Sequence, residues 1–414
     1  MTLYKELRNE MENHKEFWNY YNVNFGDAFQ NQTAARDFIY KYFAGGSKLH
    51  SLDIWTKSID QYIEMRNVHT VNVFFIGIFL QRRIDENISI KSEVSSDYPF
   101  SYLWYLLCLA HDLGYTYEKY STTYIKRPLK LYYAHHNYNQ CNRLKIYSSK
   151  FYTRRKWYED HGIDIGYLNS SLWGRRIISH YMYRNQIYRL SKDIEYNNGI
   201  LIKRPRYSLG TINNYFYYRL YEMNTLDHGI VGADNFYSRL VGNYLKEYRR
   251  MDSRYFAEGN ICSFYNQEEL YFCSEQIKIF AYIADCIASH NMYKADDNER
   301  CRATYVEYSL NSLLPEMFQP ISYKENPLLF ILCVADTIEP SKKFIEYSNK
   351  DVLKLISIEY NAFNNFLHVE VDEKLYASTA GKEYVSSIKA LEQWCDIKIM
   401  VEVKKFGEND TDSK

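Results

Sequence analysis

SYLWYLLCLAHDLGY, residues 101–115, is the most informative stretch of the sequence. Its apolar run predicts a buried helix that begins near Pro99, a residue suited to a first turn. The helix leads into the adjacent pair His111 and Asp112, and Gly114 follows two residues later. An aspartate at the end of an apolar helix is costly to bury unless a partner offsets its charge. A metal ion is the most effective partner for such a pair, so this stretch predicts metal ligands held by a helical core.

Four further residues lie in or beside apolar helical runs and extend this pattern along the chain. The local sequences are RNVHTVNV around His69, DHGIVGA around His228, IASHN around His290 and CVADTIEPSKKF around Asp336. Any one of these histidines, taken singly, is more often a satisfied core or surface residue than a ligand. What favours a shared metal centre is the order His, His-Asp, His, His, Asp. His180, in RRIISHYMYRNQ, is an alternative for the third histidine.

Helical periodicity over most of the chain predicts a mainly α fold. We expect N-terminal helices over 1–59 and a helical core over 60–345, interrupted by a basic, tyrosine-rich insertion or cap over 116–226. Alternating apolar and polar residues in FLHVEVD and IKIMVEVKKF predict strands, with a helix, KEYVSSIKALEQW, between them. Residues 346–405 should therefore form a small C-terminal α/β appendage, and 406–414 should be disordered.

The order of the six residues resembles that of the HD-domain superfamily of metal-dependent phosphohydrolases, in its subset with six ligands and two metals. The resemblance covers residues 60 to 115 and 225 to 345. Within it, ADTIEPSKK is similar to the equivalent element of bacterial diadenosine tetraphosphate hydrolases. The N-terminal helices, the insertion and the tail lie outside the resemblance, which implies an HD-domain core of helices.

The resemblance also implies a ligand set for two divalent metal ions. The implied ligands are His69, His111 and Asp336 for one ion, His228 and His290 for the other, and Asp112 as the bridge between them. Iron and manganese would be the first choices, with magnesium, nickel, cobalt or zinc as alternatives. Such a centre lowers the pKa of a bound water and holds phosphoryl oxygens, as phosphohydrolases and phosphodiesterases require.

Other charged residues near these motifs could support the same chemistry. Lys342 and Lys343 follow the fourth motif, and Arg66 lies three residues before a predicted ligand, on the same helical face. These cations could stabilise charge on phosphoryl oxygens, or could be solvated surface residues. Asp227 and Asp285 could hydrogen-bond to ligand histidines, or could be ordinary cap and surface charges.

The charge of the chain is balanced overall but unevenly distributed. There are 51 Lys and Arg against 51 Asp and Glu in total, whereas Leu113 to Leu226 holds 19 Lys and Arg against 7 Asp and Glu. Arg and Tyr are interleaved there, in FYTRRKWYED and HYMYRNQIYRL, which suits a ligand with a phosphate and a base. A phosphate-containing small molecule, a nucleotide, is the expected partner. Nucleic acid is a secondary alternative, and a cap that only balances acidic surface is another.

Cysteine usage and the amino terminus favour a cytoplasmic protein without a membrane partner. The eight cysteines show no Cys-x-x-Cys spacing, and several lie in apolar runs, which indicates buried thiols in a reducing compartment. MTLYKELRNEMENHKEFW lacks the apolar core of a signal peptide, and the longest apolar run, 71–80, is too short for a membrane span. The pattern is compatible with a monomer or an oligomer.

One function and two alternatives follow. The first is hydrolysis of a phosphoester or phosphoanhydride bond in a nucleotide-type substrate by a metal-activated water, with Asp112, Lys342 and Arg66 as catalytic residues. The same six-ligand pattern also supports di-iron oxygenase chemistry. A sensor that binds a nucleotide without turnover is the third reading, although such a module has no need of a bridging Asp112.

Overall fold

The computed structural model describes nine ranges of the chain. They are 1–19, 22–42, 66–84, 89–90, 98–115, 206–223, 227–233, 236–237 and 274–406. These residues are mostly helical, with one three-stranded sheet and one two-stranded pair. The prediction of a mainly α fold is therefore confirmed for the described residues.

The secondary-structure elements of the described residues are numbered in chain order. The helices are α1 (Leu3–Asn13), α2 (Gln32–Tyr42), α3 (Asn67–Ile84), α4 (Phe100–Ala110), α5 (Leu209–Tyr221), α6 (Ser274–Ser289), α7 (Glu299–Glu307), α8 (Pro327–Ile338), α9 (Asn349–Lys354), α10 (Glu373–Tyr376) and α11 (Thr379–Ala390). Residues 228–233 are also helical. Short 3-10 helices are Lys15–Phe17, Asn311–Leu313 and Leu391–Gln393. The strands are β1 (Ser89–Ile90), β2 (Tyr98–Pro99), β3 (Ile356–Asn361), β4 (Phe366–Asp372) and β5 (Lys398–Lys404).

Helix α3 lies at the centre of the helical core. Its side chains from Asn67 to Gln81 are all buried, because the sequence is apolar on nearly every face, as in a helix surrounded by others. Helices α1, α2, α4 and α8 pack against it, and α6 packs against both α4 and α8. Five of the six predicted ligands lie on α3, α4, α6 and α8 or directly after them.

A glycine sets the closest helix contact in this core. A Cβ at Gly77 of α3 would lie only 2.0 Å from the ring atom Cζ2 of Trp104 in α4. Trp104 is fully buried, and its indole Nε1–H donates to the carbonyl oxygen of Phe74 at 2.8 Å. The missing side chain at Gly77 therefore allows α4 to lie directly on α3.

Local signals set the ends of the helices that reach the predicted centre. Asn326 caps α8 through its side chain, and Pro327 occupies the first helical position. Pro340 prevents the helix from continuing past its end. The expected start of α4 near Pro99 is confirmed, since the helix begins at Phe100. Strand β2 pairs with β1 in an antiparallel bridge, which holds the residues before the helix extended.

The C-terminal sheet has the order β3-β4-β5, with β3 and β4 antiparallel and β4 and β5 parallel. The predicted strand FLHVEVD corresponds to β4, IKIMVEVKKF contains β5, and the predicted helix between them overlaps α11. Strand β3 was not predicted. Leu367, Val369 and Val371 on one face of β4 are fully buried. Because β3 packs against α1 and α3, the sheet and the helices share one hydrophobic core.

Helix α5 lies in the last part of the predicted insertion and packs into the same core. Tyr215 on this helix is buried, and its hydroxyl donates to the carbonyl oxygen of Asn291 at 3.1 Å. The ring of Tyr218 meets that of Tyr305 edge-on, with 4.8 Å between centroids. Tyrosine serves here as a core residue whose hydroxyl finds a partner. The division of the chain at 116–226 stays a prediction.

Several expectations concern residues outside the described ranges. They are most of the insertion, the alternative ligand His180 and residues 407–414 of the tail 406–414 that was predicted to be disordered. Two further expectations, on the cysteines and on membrane-spanning helices, concern described residues. Cys108, Cys286, Cys333 and Cys395 are buried free thiols, as expected. Among the described helices, none has both the length and the apolar character that a bilayer crossing needs.

Candidate metal centre

The six predicted ligands come from distant parts of the sequence and lie together in the core. They form two groups, within each of which the potential ligand atoms lie within 4.8 Å of one another: His69, His111 and Asp336, and Asp112, His228 and His290. All of them are buried except Asp336, which is partly exposed. The grouping is the one that the resemblance implies, and the role of these residues as ligands stays a prediction.

In the first group, two imidazole nitrogens and a carboxylate oxygen face one another. His69 Nε2 lies 3.1 Å from His111 Nε2 and 3.1 Å from Asp336 Oδ1. His69 Nδ1 donates to Glu339 Oε2 at 2.6 Å, and His111 Nδ1 donates to the carbonyl oxygen of Cys108 at 2.8 Å. Because these acceptors hold a proton on each Nδ1, the Nε2 lone pairs point at each other. A cation between them removes this repulsion, so the first group fits a metal ion.

The second group contains two buried atoms without a hydrogen-bond partner among the described residues. They are His290 Nε2 and Asp112 Oδ1. His290 Nδ1 donates to the carbonyl oxygen of Ile287 at 2.6 Å, which leaves a lone pair on Nε2, and the ring of His228 lies 5.2 Å away between centroids. Asp112 Oδ2 lies 3.3 Å from His69 Nε2, so Asp112 reaches both groups. A metal ion would satisfy these buried polar atoms, which are otherwise costly.

Three of the predicted ligands, Asp112, Asp336 and His290, favour protonation states that suit metal binding. Burial opposes the ionisation of Asp112, but its electrostatic interactions with His111, Lys342 and Arg66 together hold the pKa of the carboxyl well below its usual range. The pKa of Asp336 is also well below its usual range, because Lys342, His111 and His69 together outweigh the effect of burial. Burial, together with the neighbouring histidines, lowers the pKa of His290 to about 3. The centre therefore offers ionised carboxylates and a neutral imidazole, the states that bind metal ions.

Two of the three candidate cations contact these carboxylates. Arg66 Nη1 donates to Asp112 Oδ2 at 2.7 Å. Lys342 Nζ lies 3.1 Å from Asp112 Oδ2 and 3.0 Å from Asp336 Oδ1. Burial would lower the pKa of Lys342, but the two carboxylates outweigh it and raise the pKa. Lys343 instead donates to a serine hydroxyl of α11 at 3.4 Å, so this candidate lies outside the centre.

Tyr115, which was not among the predicted site residues, covers the centre on the side of His228. Its ring stacks on the imidazole of His228, with 3.7 Å between centroids and 16° between planes. The guanidinium carbon of Arg66 lies 3.5 Å from the Tyr115 centroid, and Lys342 Nζ lies 5.5 Å from it, both in cation–π range. Burial raises the pKa of the phenol to about 12, so the hydroxyl stays uncharged. Its position directly after HDLG was the available signal.

Glu339 is a second residue of the centre that was not predicted from the sequence. It is buried and accepts three hydrogen bonds, from His69 Nδ1 at 2.6 Å, Asn72 Nδ2 at 2.7 Å and the backbone N–H of Ser341 at 2.9 Å. Burial opposes its ionisation, but His69 and these donors lower the pKa of Glu339. A carboxylate in this position orients the histidine and strengthens it as a ligand. The signal for it was its place three residues after Asp336, about one helical turn.

Asp227 and Asp285, each of which could support a ligand histidine or serve as an ordinary cap or surface charge, have different partners. Asp227 Oδ1 accepts from the backbone N–H of Ile230 at 2.8 Å and so caps the helical segment that carries His228. Asp227 Oδ2 accepts from Asn291 Nδ2 at 2.8 Å. Asn291 Nδ2 also lies 3.4 Å from His228 Nδ1, so Asp227 is linked to that ring through Asn291. Asp285 Oδ2 accepts from the backbone N–H of Arg206 at 3.1 Å, which ties α6 to the segment before α5.

Two glycines bring the two groups into backbone contact. A Cβ at Gly114 would lie 1.8 Å from the carbonyl oxygen of His228, and a Cβ at Gly232 would lie 3.1 Å from the Gly114 nitrogen. Gly232, the last residue of the stretch DHGIVG, and Gly114 therefore permit a close approach of the two backbones. The chain after α4 therefore touches the segment 228–233 directly, which holds Asp112 next to His228.

The donor set of four imidazoles and two carboxylates suits iron, manganese or zinc. The chain has no significant match among protein-family models, curated proteins or solved structures. The likeness to HD-domain proteins therefore rests on the order of the motifs in the sequence. His228 lies beside Asp112 and His290, whereas its rival His180 is outside the described residues.

Proposed function

We propose that this protein is a metal-dependent hydrolase of the HD-domain type, which cleaves a phosphoester or phosphoanhydride bond in a nucleotide-type substrate. One observation carries the proposal. Two groups of metal-binding side chains meet at Asp112, and the cations of Arg66 and Lys342 lie on the same carboxylate. A dinuclear centre binds both the nucleophile and the phosphoryl oxygens. Adjacent cations stabilise the charge that develops on those oxygens.

Under this proposal each group would hold one of two divalent ions, with Asp112 shared between them. When bound, the ions would supply a water of lowered pKa and would polarise the phosphoryl group. Arg66 and Lys342 would exchange their contacts with Asp112 for the phosphoryl oxygens, to which Arg can donate two parallel hydrogen bonds. Glu339 would keep the His69 proton on Nδ1, which leaves Nε2 available as a ligand.

The paired cations favour hydrolysis over oxygenase chemistry on the same ligands. Arg66 and Lys342 lie within 3.1 Å of Asp112 Oδ2, where they suit an anionic substrate and serve no purpose in the activation of O2. The sensor alternative is also less well supported. Binding a nucleotide needs cations and a pocket, but it does not need a buried carboxylate between two groups of histidines.

Substitution of Asp112 tests the proposal. Asp112→Ala should lose bound metal, and turnover should fall at least about a hundredfold, the scale for loss of one preorganised contact to the transition state. The matched control is Asp37→Ala, at an exposed position of α2. Metal content would be measured by plasma mass spectrometry, folding by circular dichroism, and hydrolysis on a panel of phosphoesters with and without chelator.

The proposal predicts about two metals per wild-type chain and hydrolysis that a chelator abolishes. It predicts the same values for Asp37→Ala. Full metal content and activity in Asp112→Ala would contradict the two-metal model. Wild-type protein that binds no metal, and stays inactive with added manganese, iron or magnesium, would contradict the proposed function.

A further inference from the structure

A cavity of about 330 Å³ opens beside the candidate metal centre, between α2, the start of α3 and the segment after α8. Arg66 and Lys342 border both the cavity and the centre, since their charged groups contact Asp112. The apolar side chains of the wall are Val68, Phe344, Ile345, Tyr347 and Val352. The cavity therefore has a cationic edge next to the centre and an apolar interior.

The segment 341–352 builds most of this wall because Pro340 ends α8 and the chain turns there. The backbone N–H of Phe344 donates to the Pro340 carbonyl oxygen at 3.2 Å, and the turn directs the Phe344 ring into the core. Tyr347 meets this ring edge-on, with 6.3 Å between centroids. The side chain of Ile345 lies at the rim, where it is 71% exposed. One side of the cavity is therefore aromatic and aliphatic.

The side-chain amides of the wall are bonded within the protein. Asn349 Nδ2 donates to the carbonyl oxygen of Phe29 at 2.8 Å, and Asn349 Oδ1 accepts from Asn72 Nδ2 at 2.8 Å. Gln32 Oε1 accepts from the backbone N–H of Val68 at 3.2 Å. Such bonds leave shape, stacking and apolar contact as the main means of recognising a ligand in the interior.

We infer that this cavity binds the base of the substrate, while the attached phosphoryl group lies at Arg66 and Lys342. The inference rests on the proposed function and narrows it to phosphoesters of a flat aromatic group. The volume is near the lower limit of about 300–1,000 Å³ for ligand sites, so it fits one base and not two. Because the wall amides are bonded within the protein, the cavity binds purines and pyrimidines with similar affinity.

Phosphonates test the inference without turnover, since their carbon–phosphorus bond resists hydrolysis. Titration calorimetry on the full chain would compare phenylphosphonate with methylphosphonate. Wild-type protein should bind phenylphosphonate at least about tenfold more tightly, the scale of one stacked ring. Adenosine and uridine should displace phenylphosphonate with similar midpoints, and ribose should not.

Ile345→Gln adds a polar group at the exposed rim and carries little risk to folding. It should reduce the preference for phenylphosphonate at least about threefold, because the rim contact is no longer apolar. Val306→Gln, at a site on α7 that is 53% exposed and outside the cavity, is the matched control and should change nothing.

Equal affinity of the wild-type protein for the two phosphonates would overturn the inference. An equal preference for phenylphosphonate in Ile345→Gln and Val306→Gln would also overturn it. Chelator-sensitive hydrolysis alongside that result would leave the proposed function intact. A preference for phenylphosphonate that depends on Ile345, in a protein that binds no metal, would support the cavity and contradict the proposed function. The two ideas can therefore fail separately.

Discussion

Glu339→Gln changes one atom of a buried side chain and tests how the centre holds its histidines. Glu339 uses Oε2 to accept from His69 Nδ1 and Oε1 to accept from Asn72 and Ser341. A glutamine has one oxygen and one NH2 group, so it cannot satisfy both sides. If its oxygen faces His69, its NH2 group faces the two other donors. If its oxygen faces those donors, the His69 proton must move to Nε2, which then cannot bind metal.

Both arrangements weaken the centre, and their cost can be estimated. The first leaves buried donors unpaired, at about 1–3 kcal/mol each in folding free energy. The second removes His69 as a ligand. Loss of a carboxylate that supports a ligand histidine lowers metal affinity about 10- to 100-fold. That range corresponds to about 1.4 to 2.8 kcal/mol. We expect the dissociation constant for manganese to rise by this factor in Glu339→Gln.

The measurement is a manganese titration in competition with a fluorescent chelator. Glu346→Gln is the matched control, because Glu346 is exposed and lies in the segment that follows α8. Wild-type affinity in Glu339→Gln would refute the orienting role of this carboxylate. A wild-type protein without any manganese affinity would count against the centre itself and would leave the role of Glu339 a purely structural one.

Two glycine substitutions test the close contacts in the core. Gly77→Ala places a Cβ 2.0 Å from Trp104 and should lower the free energy of unfolding by about 1–3 kcal/mol in urea titrations, whereas Gly26→Ala, with nothing within 4 Å, should stay within about 0.5 kcal/mol. Equal stabilities would show that α4 can shift without cost. Gly114→Ala places a Cβ 1.8 Å from the His228 carbonyl oxygen and should weaken metal binding at least about tenfold by moving His228. Wild-type metal affinity in this variant would mean that the crossing does not position the centre.

The predicted ligands could be found from sequence because each follows or interrupts an apolar helical run. Burial of a charged or polar group at such a place is costly unless the group has a partner. A charged or polar residue beside an apolar run can therefore be recognised from the sequence as a candidate functional residue. The same logic found Asp336, although it lies 224 positions after Asp112 along the chain. Local chemistry was enough for these residues, since helices α4, α6 and α8 all bring their carboxyl ends to the centre.

The residues that sequence reasoning missed depend on how distant segments meet. Glu339 contacts His69 across 270 positions, and nothing local to either residue reveals that pairing. Lys342 and Lys343 are adjacent and chemically alike, yet the turn after Pro340 sends only Lys342 to the centre. Strand β3, ISIEYN, has its first three residues buried and so lacks the alternation that indicates a half-exposed strand.

The direction of the helices determines how the candidate metal centre can bind an anion. Helices α4, α6 and α8 aim their carboxyl ends at the centre, and these ends carry partial negative charge, worth about 0.3–1 kcal/mol each to a nearby cation. Among the described residues, α3 and the helical segment 228–233 present their amino ends, but the Val68 N–H donates to Gln32 and the Ile230 N–H donates to Asp227. Nucleotide-binding loops elsewhere hold phosphate with backbone amides at a helix amino end. Within the described residues, three of the helices at the centre have the opposite direction and the exposed amides are already capped, so phosphate binding there depends on side-chain charges or bound ions.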